Sequence, residues 1–380
     1  MKNKTQLFLL LISIIITLSE CKKPSSSSKG TTFIPSSDSG FIYLGRIDIR
    51  NPNSIKFAHT GVSIRFKFEG SSCIVHLKNN SSSKDKEGNF YKNYYTVLID
   101  KEKPQLFSVS NEEDKIKIKN LGKGIHEVMF IKRTEALVGE GIFEGIEIER
   151  DKKLIRIQEP AKRKIEFIGN SITCGYGLEG DSKDCPFSPE TENGYLAYGA
   201  LTARKLNADY VAVAYSGKGM YRNYDGSVKN TLSLVYDRIF PDSANSAKWD
   251  TKKWQPDLIV VNLGTNDFAK GIPDSLIFIN TYVNFIKKLI NYYPTATILC
   301  TEGPMTNDNY PAGINSYTKV KNYITASKEK IYNLGYSKIY TYFPTPQGEG
   351  DYGCDWHPNA KRHEKMAEEF TKEIKTIMKW

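Results

Sequence analysis

The sequence predicts an α/β domain, a parallel sheet flanked by helices, preceded by an all-β sandwich. Three observations predict it. From residue 41 to about 156 the apolar residues recur with period two; after Pro160 short continuous apolar runs replace that alternation; between those runs, apolar residues fall three and four apart. Alternating strands and helices imply a parallel sheet with right-handed crossovers, whereas many short alternating strands without helices imply an antiparallel sandwich of jelly-roll type.

The elements follow in chain order. Ile64, Phe66 and Phe68 alternate with Ser63, Arg65 and Lys67; Cys73, Val75 and Leu77 form a second row, Val97 and Ile99 a third, and Ile116 and Ile118 sit between lysines. Such rows are strands with one apolar face. The polar stretch 79–89, which ends on Asp-Lys-Glu-Gly-Asn, reads as a solvated hairpin loop. In the second half, runs at 165–168, 210–215, 258–263 and 297–300, with a weaker fifth at 339–343, suit strands covered on both faces. Ile279, Val283, Ile286, Ile290 and Tyr293 mark one helix, and Met366, Ala367, Phe370, Ile374 and Ile377 mark another that starts at Pro358. The domains are therefore expected at 40–156 and 157–380.

Ahead of them, Met-Lys-Asn-Lys precedes an apolar run at 7–18, shorter than the roughly 18 apolar residues a spanning helix needs. Residues 1–20 are expected to be an export signal. Cys21, followed by Lys-Lys-Pro and a serine run, resembles the tether of a bacterial lipoprotein acylated on its cysteine, so 21–39 reads as a low-complexity tether. Glu20 departs from the small residue expected before such a cysteine. Two destinations stay open, a cell-envelope lipoprotein held to a membrane through Cys21 and a conventionally secreted protein.

With Cys21 lipidated, Cys73, Cys174, Cys185, Cys300 and Cys354 remain, an odd set. Cys174 and Cys185 are near enough in sequence to close a small loop, and Cys300 reads as a buried thiol. The net charge of +10 is spread over lysines along the whole chain, which points to a solvated basic surface and not to nucleic acid. No CxxC or HExxH spacing occurs, and of the five histidines only His357 and His363 are close, so no metal is expected.

The loops after the strands carry the chemistry, because ligands of open α/β sheets bind beyond the strands' carboxyl ends. The first strand delivers Ser171 from a Gly-Asn-Ser turn, where Asn and Ser would also serve as a helix cap. The next loops bring Ser216-Gly217-Lys218-Gly219 and Gly264-Thr265-Asn266-Asp267, and the last helix is preceded by Asp355-Trp356-His357-Pro358. Acyl transfer needs a hydroxyl, a close glycine amide, a side-chain amide donor and an imidazole, and these loops supply them. Spacing of two lets Asp355 accept from His357 Nδ1 and leaves Nε2 facing Ser171, a triad in the order Ser, Asp, His. Gly175 to Gly180 spells GxGxxG, yet a polar, proline-bearing loop follows instead of a helix, so no cofactor is expected.

The segments GNSITCGYG, SGKG, GTND and DWHP resemble the four consensus blocks of the SGNH hydrolases. The GRID near residue 45, KRTEALVGEGIFEGIEI at 132–148, MYRNY and CDWHPN extend the resemblance to carbohydrate esterase family 2, over about residues 40–380. The resemblance implies a flavodoxin-like three-layer catalytic domain behind a jelly roll, and removal of acetyl groups from polysaccharides such as xylan or glucomannan. It implies Ser171 as nucleophile, His357 and Asp355 as its partners, and an oxyanion hole from the Ser171 and Gly217 N–H groups and the Asn266 side chain. Gly219 rivals Gly217. Asn170 stands where the superfamily usually has Asp, and some members replace the Asp of the Asp-x-His pair by a backbone carbonyl. Trp356, Tyr221 and Tyr224 are candidate sugar platforms. Two other readings are a lipase or thioesterase of the same superfamily and a catalytically idle carbohydrate-binding surface protein.

Overall fold

A computed structural model describes residues 30–100, 102–158 and 163–380. The expected export signal, Cys21 and the tether before residue 30 lie outside the described residues. The first domain comprises β1 (Thr31–Pro35), β2 (Ile42–Leu44), β3 (Ile47–Asp48), β4 (Ile55–Phe57), β5 (Ser63–Gly70) and β6 (Cys73–Asn80). It continues through β7 (Asn93–Ile99), β8 (Gln105–Val109), β9 (Lys115–Ile118), β10 (Gly124–Lys132), β11 (Glu140–Glu149) and β12 (Leu154–Ile155). They form two antiparallel sheets, β3-β4-β11-β6-β9 with β1 beside β11, and β12-β5-β10-β7-β8 with β2 beside β5. The alternating rows meet between them: Phe66, Phe68, Val75, Leu77, Val97 and Val128 are at most 1% exposed.

The sandwich starts earlier than expected. Residues 31–35, assigned to the tether from composition, pair with β11 from Thr31 opposite Glu149 to Pro35 opposite Gly145. β-branched Thr31, Thr32 and Ile34 favour the extended chain, and Ile34 packs into the sandwich core.

The second domain runs β13 (Lys164–Gly169), α1 (Ser171–Cys174), α2 (Tyr198–Lys205), β14 (Asp209–Ala214), α3 (Leu232–Val235), β15 (Leu258–Asn262) and α4 (Thr265–Phe268). It ends with α5 (Ser275–Tyr292), β16 (Thr297–Thr301), α6 (Ser316–Asn333), β17 (Ile339–Thr341) and α7 (Ala360–Met378). The strands form one parallel sheet in the order β14-β13-β15-β16-β17. This is the flavodoxin-like order, whose direction of winding reverses between the first and third strands and opens a crevice at their carboxyl ends. One face of the sheet is covered by α2 and α7 and the other by α5 and α6. On α7, Met366, Phe370 and Ile374 bury one stripe, each contributing about 1.5–3 kcal/mol. That helix begins two residues later than its proline suggested, because Asn359 caps it by accepting from Arg362 N–H.

The two domains are bolted together. Arg46, wholly buried, donates to the Tyr236 carbonyl and lies 3.6 Å from the Glu166 carboxylate on β13. Ala58 and Ala136 of the sandwich join the core of the catalytic domain.

Candidate active site

The nucleophile's place follows from local geometry. β13 stops at Gly169, where a Cβ would meet Thr173 Oγ1 at 2.0 Å, so only glycine lets the chain turn this tightly into α1. Asn170 is the cap: its side chain accepts from Ile172 N–H at 3.1 Å, while its buried Nδ2 finds no partner among the described residues. Ser171 is the first residue of the helical turn. Cap and hydroxyl are thus neighbours, and capping leaves Ser171 Oγ free for other work.

That hydroxyl meets His357. Ser171 Oγ lies 2.8 Å from His357 Nε2, and His357 Nδ1 lies 3.0 Å from the backbone carbonyl of Asp355. The carbonyl fixes the tautomer, since Nδ1 must carry the proton it donates there. Burial pushes the imidazole down to about 4, so it is neutral near pH 7 and able to accept a proton from Ser171.

The expected role of Asp355 is corrected here. Its carboxylate does not reach His357; it accepts a hydrogen bond from Tyr176 OH at 2.7 Å. The cause lies in the backbone, because Asp355 and Trp356 both sit at positive φ, 50° and 61°. Two successive left-handed residues turn the Asp355 carbonyl inward and its side chain outward. Tyr176 completes the arrangement by packing its ring 4.1 Å from the His357 ring.

The cysteine pairing is corrected too. Cys185 is bonded to Cys354, 169 residues away, and Cys174 is a buried free thiol on the nucleophile's helix. Cys174 is buried beside the Glu135 and Glu192 carboxyl groups, whereas Cys185 lies in the loop against which the histidine turn packs. Cys354 N–H donates to Gly177 O and Asp355 N–H to Cys185 O, so bridge and backbone hold the same contact.

The other donors gather around Ser171. Gly217, at φ 77°, and Asn266 line the same cleft as Ser171 and His357, a cavity of about 860 Å³. No acceptor among the described residues takes the Ser171 or Gly217 N–H, whereas Gly219 N–H is spent on Asn223 Oδ1 at 3.2 Å, which excludes Gly219 as the rival donor. Asn266 Nδ2 donates to the Lys218 carbonyl at 2.8 Å, which orients the amide and leaves its second hydrogen for a ligand. Such preoriented donors are what a developing oxyanion requires.

Of the predicted sugar platforms, Tyr224 and Trp356 line the cleft and are 61% and 50% exposed. Tyr221 does not. It packs against the catalytic domain's core, because its segment is pulled inward by Asp267, whose buried carboxylate accepts from the N–H groups of Met220, Tyr221 and Arg222. Burial raises Asp267 to about 6. Sequence reasoning passed over this residue, although it stands beside Asn266 in the same block. It also passed over Glu302, raised by burial to about 7, which accepts from Thr265 and Thr306 and ties the Asn266 loop to the cleft's far wall of Met305, Asn307 and Tyr310.

Known proteins resemble this chain in sequence and fold. Residues 43–157 match the carbohydrate esterase 2 N-terminal family and residues 167–365 the GDSL-like lipase/acylhydrolase family. The chain is 36% identical over 343 residues to the cellulase/esterase CelE of Acetivibrio thermocellus, covering 90% of this chain and 40% of CelE, so it spans less than half of that relative's length. It is 29% identical over 377 residues to an acetylxylan esterase/glucomannan deacetylase of Cellvibrio japonicus, with 98% of both chains covered. A solved family two carbohydrate esterase from Clostridium thermocellum, in complex with cellohexaose, is similar with a TM-score of 0.81 and 35% identity, over 90% of this chain and 100% of that one.

Proposed function

The chain belongs to carbohydrate esterase family 2, and from that membership and the geometry of its site we propose that it removes O-acetyl groups from a carbohydrate through an acyl-serine intermediate. The contact that carries the reading is the 2.8 Å approach of Ser171 Oγ to His357 Nε2 inside a cleft that also presents Gly217 and Asn266.

The steps follow from the atoms present. Ser171 Oγ attacks the acetyl carbonyl carbon while His357 Nε2 takes its proton, and the Asp355 carbonyl stabilises the imidazolium through Nδ1–H. The carbonyl oxygen becomes an anion facing the Ser171 and Gly217 N–H groups and the Asn266 amide. Collapse breaks the bond to the sugar oxygen, which leaves with the proton from His357. Water then repeats the cycle on the acyl-serine and releases acetate.

The relative named acetylxylan esterase/glucomannan deacetylase supports acetylated xylan or glucomannan as the substrate class. Tyr224 and Trp356, exposed on the rim, suit the apolar faces of sugar rings. Export and acylation at Cys21 belong to the same proposal, supported by the charged start, the apolar run at 7–18 and the serine-rich segment after Cys21. Comparing hydrolysis of acetyl and long-chain acyl esters tests the reaction class: the proposal expects Ser171-dependent turnover that falls steeply as the acyl chain lengthens. Preference for long acyl chains would favour a lipase or thioesterase.

A further inference from the structure

The loop that carries Gly217 is gripped from the other domain. Glu135, in the turn between β10 and β11 of the sandwich, is wholly buried against the catalytic domain. Ser216 N–H donates to its Oε2 at 2.7 Å, and Ser216 Oγ donates to its Oε1. Both oxygens of a buried carboxylate are therefore engaged by the residue immediately before Gly217. On the far side, Gly217 O accepts from Tyr224 N–H at 2.8 Å. The peptide that carries the Gly217 N–H is thus fixed at both flanks.

Glu135 is itself held. Lys132 Nζ donates to the carbonyls of Thr134 and Glu135 at 2.8 and 3.0 Å, and Glu135 N–H donates to Glu192 Oε2 at 3.1 Å. The Glu135 and Glu192 carboxylates and Cys174 Sγ, from the helix that begins with Ser171, lie within 4.8 Å of one another. Burial raises both carboxyl groups, Glu192 well above the ordinary carboxylate range, and the two hydrogen bonds from Ser216 oppose that rise at Glu135. A buried carboxylate is costly unless its acceptor capacity is used, and a plain domain contact would not need one.

We propose that Glu135 is a positioning residue of the esterase: from the sandwich domain it holds Ser216 and thereby aims the Gly217 N–H at the oxyanion. The sandwich is then part of the catalytic apparatus and not solely an appended module. This rests on the acyl-serine reading of the site, so the test includes an arm that needs no carbohydrate.

The variants are Glu135→Gln and Ser216→Ala, with Glu179→Gln as control because it breaks the ion pair with Arg133 across the same domain boundary. Two rates are measured on the full chain: phosphonylation of Ser171 by a fluorophosphonate, followed by intact mass, and kcat and KM on an aryl acetate. Glu135→Gln lowers the labelling rate and kcat together by up to about 10²-fold, the lower end of the cost of losing an oxyanion donor. KM stays within about twofold. Ser216→Ala moves both rates the same way by less, and Glu179→Gln lowers the thermal midpoint without changing either rate. Wild-type labelling in Glu135→Gln, or equal losses in Glu179→Gln, overturns the proposal. Should Glu135→Gln fail to fold, Ser216→Ala decides, and unchanged labelling there overturns it. Wild-type protein that labels at Ser171 but hydrolyses no acetyl ester contradicts the proposed substrate, and the labelling arm still decides the role of Glu135.

Discussion

At His357 the partner is a carbonyl, and that choice has measurable consequences. In a triad whose carboxylate faces the imidazole, amidation of the carboxylate costs about 10⁴-fold in kcat. Here the Asp355 side chain faces Tyr176, so Asp355→Asn, which can still accept from Tyr176 OH, is expected to keep kcat within about tenfold. A loss near the triad value would show that the carboxylate swings onto His357 during turnover. The same residue sets the pH dependence. His357 works as a base only when neutral, and burial lowers it from 6.5 to about 4, so kcat/KM should hold as pH falls past 6.5 and be lost only on approach to pH 4. An acid limb centred at the ordinary imidazole value would contradict that. Ser171 and His357 were legible because four loops after the strands together supply what acyl transfer needs, although the serine taken alone would also suit a helix cap. The inward Asp355 carbonyl was not, since two consecutive positive φ angles leave no mark in residue type when the residues are Asp and Trp.

At the level of elements, the histidine turn has little regular structure and borrows its rigidity from the loop after α1. The Cys185–Cys354 bridge joins the two next to Asp355, and the Cys354 and Asp355 N–H groups bond across the same seam. Replacing both cysteines with alanine is expected to cost about 2–4 kcal/mol of stability. It should also lower kcat, because His357 loses its footing; equal midpoints and equal kcat in the two proteins would remove the bridge from the account. Sequence reading placed the five strands of the parallel sheet because residues buried on both faces leave unbroken apolar runs. It passed over α6, whose buried face is only Ser316, Val320, Ile324, Ser327 and Ile331 within an otherwise polar stretch. It also passed over α2, whose buried face is Tyr198 followed by Gly199, Ala200, Thr202 and Ala203, a single large residue among ones too small to give a hydropathy signal. The bridge escaped notice because proximity in sequence favoured Cys174, whereas the fold brings together cysteines 169 residues apart.

Across the whole molecule, two of the segments that carried the family resemblance outside the four blocks turn out to join the domains. Arg46 of GRID reaches Glu166 beneath the sheet, and Glu135 of KRTEALVGEG reaches Ser216 beside the cleft. Arg46→Ala would leave the buried Glu166 carboxylate without its cation, with Tyr236 OH still donating to it, and should cost about 3–5 kcal/mol. Chemical denaturation would show this, and a loss under about 1 kcal/mol would mean that Glu166 is neutralised without help. Their role was invisible in sequence because a buried interdomain charge pair looks like any two distant charges until the chain is folded. The central claim is that Ser171, primed by His357, deacetylates a glycan. Acetate released from acetylated xylan and acetylated glucomannan by the full chain and by Ser171→Ala measures it most directly. Steady release by the wild type and background release by the variant are expected. Equal release by both, or none by the wild type from either glycan, would contradict it.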